Sequence, residues 1–303
     1  MSFASKVFLV RPSRFGFNPE TAESNAFQER SEMDADEVRR RAKEEFDRFA
    51  ARLAELRIET VIADDPEDPP TPDAVFPNNW FSTHPDGTLV LYPMEAPARR
   101  LERVPSHVEA IREACGTRTL IDLTSHEAEG RFLEGTGSIV IDHDTLTAFA
   151  CVSSRTDPGL AREWAETTGH KLVLFKAFGA EGTPVYHTNV LLCVGRGFAV
   201  LCCEAISDRF ELEAVREALE SSGKELIPIT LAQMEEFAGN LLQLETTGGE
   251  PLLVMSSRAR RALTDDQVFG IERHTSIADF AIPTIEQCGG GSVRCMVAEL
   301  FTK

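Results

Sequence analysis

No apolar stretch in this sequence approaches the ~20 residues that a membrane-spanning helix requires. The longest, VLLCVGRGFAVLCC, is broken by Gly195-Arg196-Gly197, a combination that predicts a hairpin turn. The opening MSFASKVFLVRP has too short an apolar run for a secretory signal, so the expected location is the cytoplasm. Basic charge is scarce: 31 Lys and Arg stand against 49 Asp and Glu, a formal net charge of −18. A surface of that sign repels nucleic acid and anionic membranes and points to a small-molecule partner, although it would also suit high internal salt. Cysteines number seven, an odd count without framework spacing, so a disulfide scaffold is excluded and at least one thiol is free for chemistry. There is no C-x-x-C, no H-E-x-x-H and no clustering of histidines in sequence, hence no expected metal. The glycines of GTGS and CGGGS lack nucleotide-loop spacing, hence no expected cofactor.

What remains is an ordinary globular composition, 42% apolar and 26% charged, in 303 residues that read as a single catalytic domain, 1–303. Oligomeric state is not legible, and a homo-oligomer is compatible with all of the above. Four hairpins stand out, starting at Asn79 (NWFSTHPDGTLVLYP), Gly137 (GSIVIDHDTLTAFACV), Asn189 (NVLLCVGRGFAVLCC) and Asn240 (NLLQLETTGGEPLLVM), and a last strand lies in CMVAELF. Amphipathic helices are predicted over about Asp34–Leu56, Arg99–Cys115, Pro158–Gly169 and Asp208–Ser222. The unit is therefore ββαβ.

A small polar cluster precedes each hairpin strand: FPNNW, FLEGTG, YHTN, FAGN and GSVRC. With Asn79, Glu134, His187, Asn240 and Cys295 as markers, the steps are 55, 53, 53 and 55 residues, a structural-repeat period. Five units follow. Solenoid signatures are apolar and these are polar, so a closed ring is predicted, with pseudo-five-fold symmetry and the clusters converging on one axis. The segment SRFGFNPETAESNAFQERSEMD reads as a long loop over the ring's mouth, and PEDPPTPD as a short stiff connection.

Convergence turns isolated residues into a constellation. Cys295, in GGGSVRCM, follows three glycines that let the backbone fold sharply and present a thiol, making it the candidate nucleophile. His187, at the start of an apolar strand, is the candidate general acid/base, whereas His84, His143 and His170 read as turn residues. Glu134 is the carboxylate that orients the imidazole or accepts a substrate proton. Together FLEGTG, SSRTD, YHTN and GGGSVRCM resemble the arginine deiminase and amidinotransferase superfamily, the guanidino-modifying or pentein enzymes, over essentially the whole chain. FPNNW and FGFNPET look most like the bacterial citrulline-utilisation hydrolases. The resemblance implies a five-bladed α/β propeller, Cys295 as nucleophile, His187 as general acid/base, Glu134 as its partner, and Arg155 as the holder of the substrate's α-carboxylate, for which a planar fork is well shaped.

Two departures bear on the substrate. Arginine deiminases place aspartates where this chain has Asn79 and Asn189. Paired carboxylates suit a guanidinium, which only donates, whereas asparagine suits a ureido group, which both donates and accepts. A buried carboxylate against a ureido oxygen would cost on the order of 1–3 kcal/mol. The expected reaction is citrulline to ornithine, ammonia and carbon dioxide. Left open are the same residues acting as turn caps, with Asp73 contacting a guanidinium and arginine, a methylarginine or an amidino acceptor as substrate, and a non-catalytic ring that only binds.

Overall fold

The computed structural model describes residues 3–22, 24, 25 and 27–302. Fifteen strands run along them: β1 (Lys6–Arg11), β2 (Glu59–Asp64), β3 (Phe81–Thr83), β4 (Thr88–Leu91), β5 (Thr119–Asp122), β6 (Ile139–Asp142), β7 (Thr147–Cys151), β8 (Lys171–Phe175), β9 (Leu192–Val194), β10 (Phe198–Leu201), β11 (Glu225–Pro228), β12 (Leu242–Glu245), β13 (Pro251–Ser256), β14 (Ser276–Phe280) and β15 (Ala298–Leu300). They form five three-stranded sheets of one topology, β15-β1-β2, β3-β4-β5, β6-β7-β8, β9-β10-β11 and β12-β13-β14, an α/β architecture. In each, the first pair is antiparallel and the third strand is parallel to the second. A parallel partner requires a crossover, and helices supply it. The ββαβ unit of the sequence is thus present, with the first sheet assembled from both ends of the described chain.

The helices start where their side chains satisfy free backbone N–H groups. Asp34 accepts from Asp36 N and Glu37 N to open Ala35–Glu55, and Asp157 accepts from Leu160 N to open Pro158–Thr168, which stops at left-handed Gly169. Val38, Phe46, Phe49 and Leu53 bury one face of Ala35–Glu55 in an apolar cluster shared with residues of β1, β12 and β13. The single helix expected over Arg99–Cys115 is two, Pro97–Arg100 and Pro105–Cys115. Pro105 is the reason, because a residue before proline is driven out of the helical region, and Val104 is extended at ψ 130°.

Neighbouring units are stitched by specific bonds. Thr83 Oγ1 donates to Glu299 O (2.8 Å), Trp164 Nε1 to Tyr92 OH (2.9 Å), Cys151 N to Thr188 Oγ1 (2.7 Å), Arg196 N to Gln243 Oε1 (2.6 Å), and Glu245 N to Ala4 O (3.0 Å). His84 and His143 do sit at hairpin turns and His170 at the turn from helix Pro158–Thr168 into β8, and the three pack against one another and against Trp164 and Phe301, with only His84 fully buried. No described helix is long and apolar enough to cross a membrane.

Candidate active site

The polar clusters fold as one-turn helices ahead of the hairpin strands: Pro77–Asn79, Gly135–Ser138, Thr188–Val190 and Val293–Met296. Asn79, Glu134, His187 and Cys295, in or beside these turns, are all buried. Glycine makes the turn feasible at Gly135, whose φ is +48° and whose added Cβ would lie 2.4 Å from Asn78 O. Gly289 and Gly291 serve differently, since a Cβ on either would lie 2.8–2.9 Å from the Phe76 ring. Their helix, Pro283–Gly289, is held at its N-terminus by buried Glu45, whose two oxygens accept from Thr284 N and Ile285 N at 3.0 Å each.

Cys295, His187 and Glu134 are all buried. The Cys295 sulfur receives two amide donors, Asn240 Nδ2 at 3.4 Å and Asn189 Nδ2 at 3.6 Å. Asn240 does more than close a turn, because its Nδ2 also reaches Asn189 O and its Oδ1 accepts from Arg294 N. His187 Nε2 lies 2.9 Å from Glu134 Oε2. Glu134 Oε1 accepts from Glu95 N at 3.0 Å, and its Oε2 faces Arg155 Nη1 at 3.6 Å and Arg99 Nη1 at 4.0 Å. Burial alone would raise the Glu134 carboxyl, but Arg155, His187 and Arg99 outweigh it and hold the group at about 2. Burial lowers His187 to about 4 in spite of Glu134. A carboxylate only accepts, so Nε2 carries the imidazole proton and Nδ1 is the free base.

Gly137 joins the halves of the site. A Cβ there would lie 2.4 Å from Asn79 Nδ2 and 2.8 Å from His187 Nδ1, so these two nitrogens line one small space. Tyr186, beside His187, donates to Gly290 O at 2.9 Å, and burial followed by Cys295 pushes its hydroxyl upward in pKa. Of the five marker positions, Arg99 joins Asn79 to Glu134, Glu134 meets His187, and Asn240 meets Cys295, with Asn189 of the turn after His187 also on the sulfur.

Arg155 is buried rather than a surface arginine: Nη2 donates to Thr21 O and Ser24 Oγ, and the guanidinium lies 5.0 Å from the Tyr186 ring centre. Asp73 is buried too. Its Oδ2 accepts from Asn18 Nδ2 (2.8 Å) and Thr21 Oγ1 (3.2 Å), its Oδ1 has no partner, and burial raises its pKa against Arg99. The predicted covering loop does cover: Asn18, Thr21 and Ser24 make these contacts, and Asn25 Nδ2 donates to Gly290 O. A 770 Å³ cavity lined by Arg14, Phe17, Arg30 and Cys288 adjoins that segment, and Cys295, His187 and Glu134 are not among its lining residues. Among the described residues no group of three or more His, Cys, Asp or Glu is arranged to hold a metal.

Sequence reasoning missed Arg99. Its Nη1 donates to Asn79 Oδ1 (2.7 Å), its Nη2 to Phe76 O (3.0 Å), and its Nε and Nη2 form a fork on Glu102 (2.8 and 3.0 Å). The i, i+3 spacing of Arg99 and Glu102 is that of an ordinary surface pair, and only their burial sets them apart. Also missed were Asn18, Thr21 and Ser24, whose segment has no periodicity to read.

The family described as N,N dimethylarginine dimethylhydrolase, eukaryotic, matches residues 11–302. Sequence comparison with curated proteins gives no match. Among solved structures, a substrate-bound mutant of the N-terminal domain of ArgZ, an arginine dihydrolase from the ornithine-ammonia cycle in cyanobacteria, superposes with TM-score 0.76 at 14% identity, covering 98% of each chain. Unliganded AgrE gives 0.75 at 15% identity over 98% of this chain and 39% of its own. A dimethylarginine dimethylaminohydrolase adduct with S-methyl-L-thiocitrulline gives 0.66 at 15% identity over 98% and 99%. At such identities the structural likeness establishes the fold, and the family match establishes kinship: the chain belongs to the N,N dimethylarginine dimethylhydrolase family, within the guanidino-modifying pentein superfamily that its motifs resemble.

Proposed function

We propose that residues 1–303 form one catalytic ring of five ββαβ blades that hydrolyses the C–N bonds of a linear guanidino or ureido amino acid, carrying citrulline to ornithine and accepting arginine at the step before. The observation that carries this reading is a set of buried polar atoms without protein partners: the donor Asn79 Nδ2 and the acceptors Asn189 Oδ1 and Asp73 Oδ1. Buried polar groups left unpaired cost about 1–3 kcal/mol each, so a site that retains three is built for a ligand that pairs them. One donor and two acceptors, one of them a carboxylate, suit a group with a carbonyl oxygen and N–H bonds as well as a guanidinium. The fold neighbour ArgZ, an arginine dihydrolase, supports the same pairing of steps.

The roles follow from the protonation states. His187, neutral with Nδ1 as free base, takes the Cys295 proton, and the amide N–H groups of Asn189 and Asn240 point at the sulfur. Sulfur adds to the ureido carbon, and the carbonyl electron pair moves to oxygen, opposite Asn79 Nδ2. Collapse expels the δ-amine, which takes the proton from His187, while ionised Glu134 stabilises the transient imidazolium. Water then attacks the S-carbamoyl carbon, the thiolate leaves, and the carbamate falls to ammonia and carbon dioxide. Arg155 carries the α-carboxylate once the covering segment releases it.

Purified protein supplied with arginine, citrulline or dimethylarginine tests this. Ornithine and ammonia from citrulline, lost in Cys295→Ala, are expected, with two ammonia per ornithine from arginine. Citrulline accumulating from arginine without ornithine would sink the ureido step, and dimethylamine with citrulline from dimethylarginine, as the only turnover seen, would favour the activity in the family's description. A Cys295 that reacts with a haloacetamidine no faster than the other thiols would leave a ring that only binds.

A further inference from the structure

Serine is among the residues best suited to the start of a helix, because its hydroxyl accepts from a free backbone N–H there. Ser292 stands at that position of the turn Val293–Met296, yet its side chain caps nothing. The N–H groups within its reach are taken elsewhere: Arg294 N donates to Asn240 Oδ1 at 3.2 Å, and Cys295 N to the Ser292 carbonyl at 2.9 Å. The hydroxyl turns back along the chain instead and donates to Glu286 Oε1 at 2.7 Å. Both residues are buried. A side-chain bond therefore spans the glycine run that leads to Cys295.

We propose that Glu286 is a positioning residue: by holding Ser292 Oγ it fixes where the turn bearing Cys295 starts, and so keeps the sulfur against the amides of Asn189 and Asn240. The inference rests on Cys295 being the nucleophile of the proposed function and deepens that reading. The loop between the two residues needs such a hold. Gly289, Gly290 and Gly291 have no side chains to anchor it, and glycine has the widest backbone freedom of any residue. The middle of the loop is fixed at Gly290, whose N donates to Glu286 O (2.9 Å) and whose O accepts from Tyr186 OH (2.9 Å) and Asn25 Nδ2 (3.2 Å). Its far end is fixed at Ser292 by the Glu286 carboxyl. One residue thus sets two points of the loop, through its backbone carbonyl and through its side chain. The helix that carries it, Pro283–Gly289, is in turn anchored by Glu45. The hydroxyl of Ser292 asks for an acceptor at position 286 and not for a charge.

Two rates test this: kcat, and the rate at which a haloacetamidine alkylates Cys295, which needs no substrate. Glu286→Leu keeps bulk without an acceptor, and Ser292→Ala removes the donor. Each is expected to lower both rates by about tenfold to 10²-fold with KM within about twofold, the scale of a reacting group displaced by up to an ångström. Glu286→Gln keeps an oxygen for the hydroxyl and is expected to stay within about threefold of the wild type in both rates. The double variant Glu286→Leu with Ser292→Ala is expected to lose no more than either single one, because the same bond is removed in all three. Glu286→Gln falling as far as Glu286→Leu, losses that multiply in the double variant, or variants that melt earlier with both rates unchanged would each overturn the inference. Should Glu286→Leu fail to fold, judged by thermal unfolding, Ser292→Ala and Glu286→Gln decide, since one breaks the bond and the other keeps it. Fast alkylation of Cys295 in a wild-type protein that turns over neither citrulline nor arginine defeats the proposed substrate, and the alkylation rates still judge Glu286. Turnover of either, with both rates unmoved in Ser292→Ala, defeats only the role of Glu286.

Discussion

Gly137 has no side chain, and two side chains depend on that. A methyl group there would enter the space between Asn79 Nδ2 and His187 Nδ1, at 2.4 and 2.8 Å. Gly137→Ala is expected to lower kcat by about 10²-fold, the scale of a reacting group displaced by an ångström, with far-ultraviolet circular dichroism unchanged. Cys295→Ser is expected to cost at least about 10³-fold in kcat, because nucleophile and base act as a unit, while leaving the thermal midpoint close to that of the wild type. At this scale the sequence was most legible where residues recur. Glu134, His187 and Cys295 fall on a 53–55-residue period, and the structure pairs His187 with Glu134 and sets Cys295 against the amides of Asn189 and Asn240. Arg99 lies off the period and reads like any helix arginine, so nothing in the local sequence distinguishes it. Asp73 was legible as the contact a guanidinium would use; its burial with one bare oxygen belongs to the folded state.

Among elements, the helix Pro283–Gly289 matters most to the site, since it leads through Gly289–Gly291 to Cys295. Its N-terminus has no capping side chain of its own and borrows Glu45 from Ala35–Glu55. Glu45→Ala removes two charge-assisted bonds from buried N–H groups. We expect a loss of about 1–3 kcal/mol in urea unfolding together with a fall in turnover. Asp208 is the control: it caps the exposed helix Arg209–Ser221 through Phe210 N and Glu211 N, and Asp208→Ala is expected to cost about 1 kcal/mol with turnover intact. The hairpins and their helices were readable because turn residues and periodicity act locally. The outer strands were not: β5, TLID, is too short to show alternation and is defined by its pairing with β4. The break before Pro105 was readable and outweighed by the apolar spacing around it.

For the molecule as a whole, burial sets the acid limit. It holds His84 at about 4, with His170 adding to the effect, and His143 at about 3, with His84 and His170 contributing. Both are neutral in the folded protein, whereas in the unfolded chain they bind protons near 6.5. The unfolded state therefore holds more protons between pH ~6.5 and ~4, and stability contributed by these groups is present above that window and lost as pH falls through it. Buried Glu102, raised to about 7 by burial against the pull of Arg99, pulls the opposite way between its unfolded value and about 7. A difference measurement removes that offset: the melting temperature of His84→Gln minus that of wild type is expected to rise as pH drops from 6.5 to 4, and a flat difference would contradict the assignment.

The sheet β15-β1-β2 takes its middle and outer strands from the beginning of the chain and its inner one from the last residues described, three positions beyond Cys295. During synthesis the imidazole and its carboxylate leave the ribosome more than a hundred residues before the sulfur does. The thiol is thus delivered after them, on the turn just ahead of the strand that pairs with β1, and a chain stopped short of it holds the imidazole and its carboxylate with no sulfur to work on.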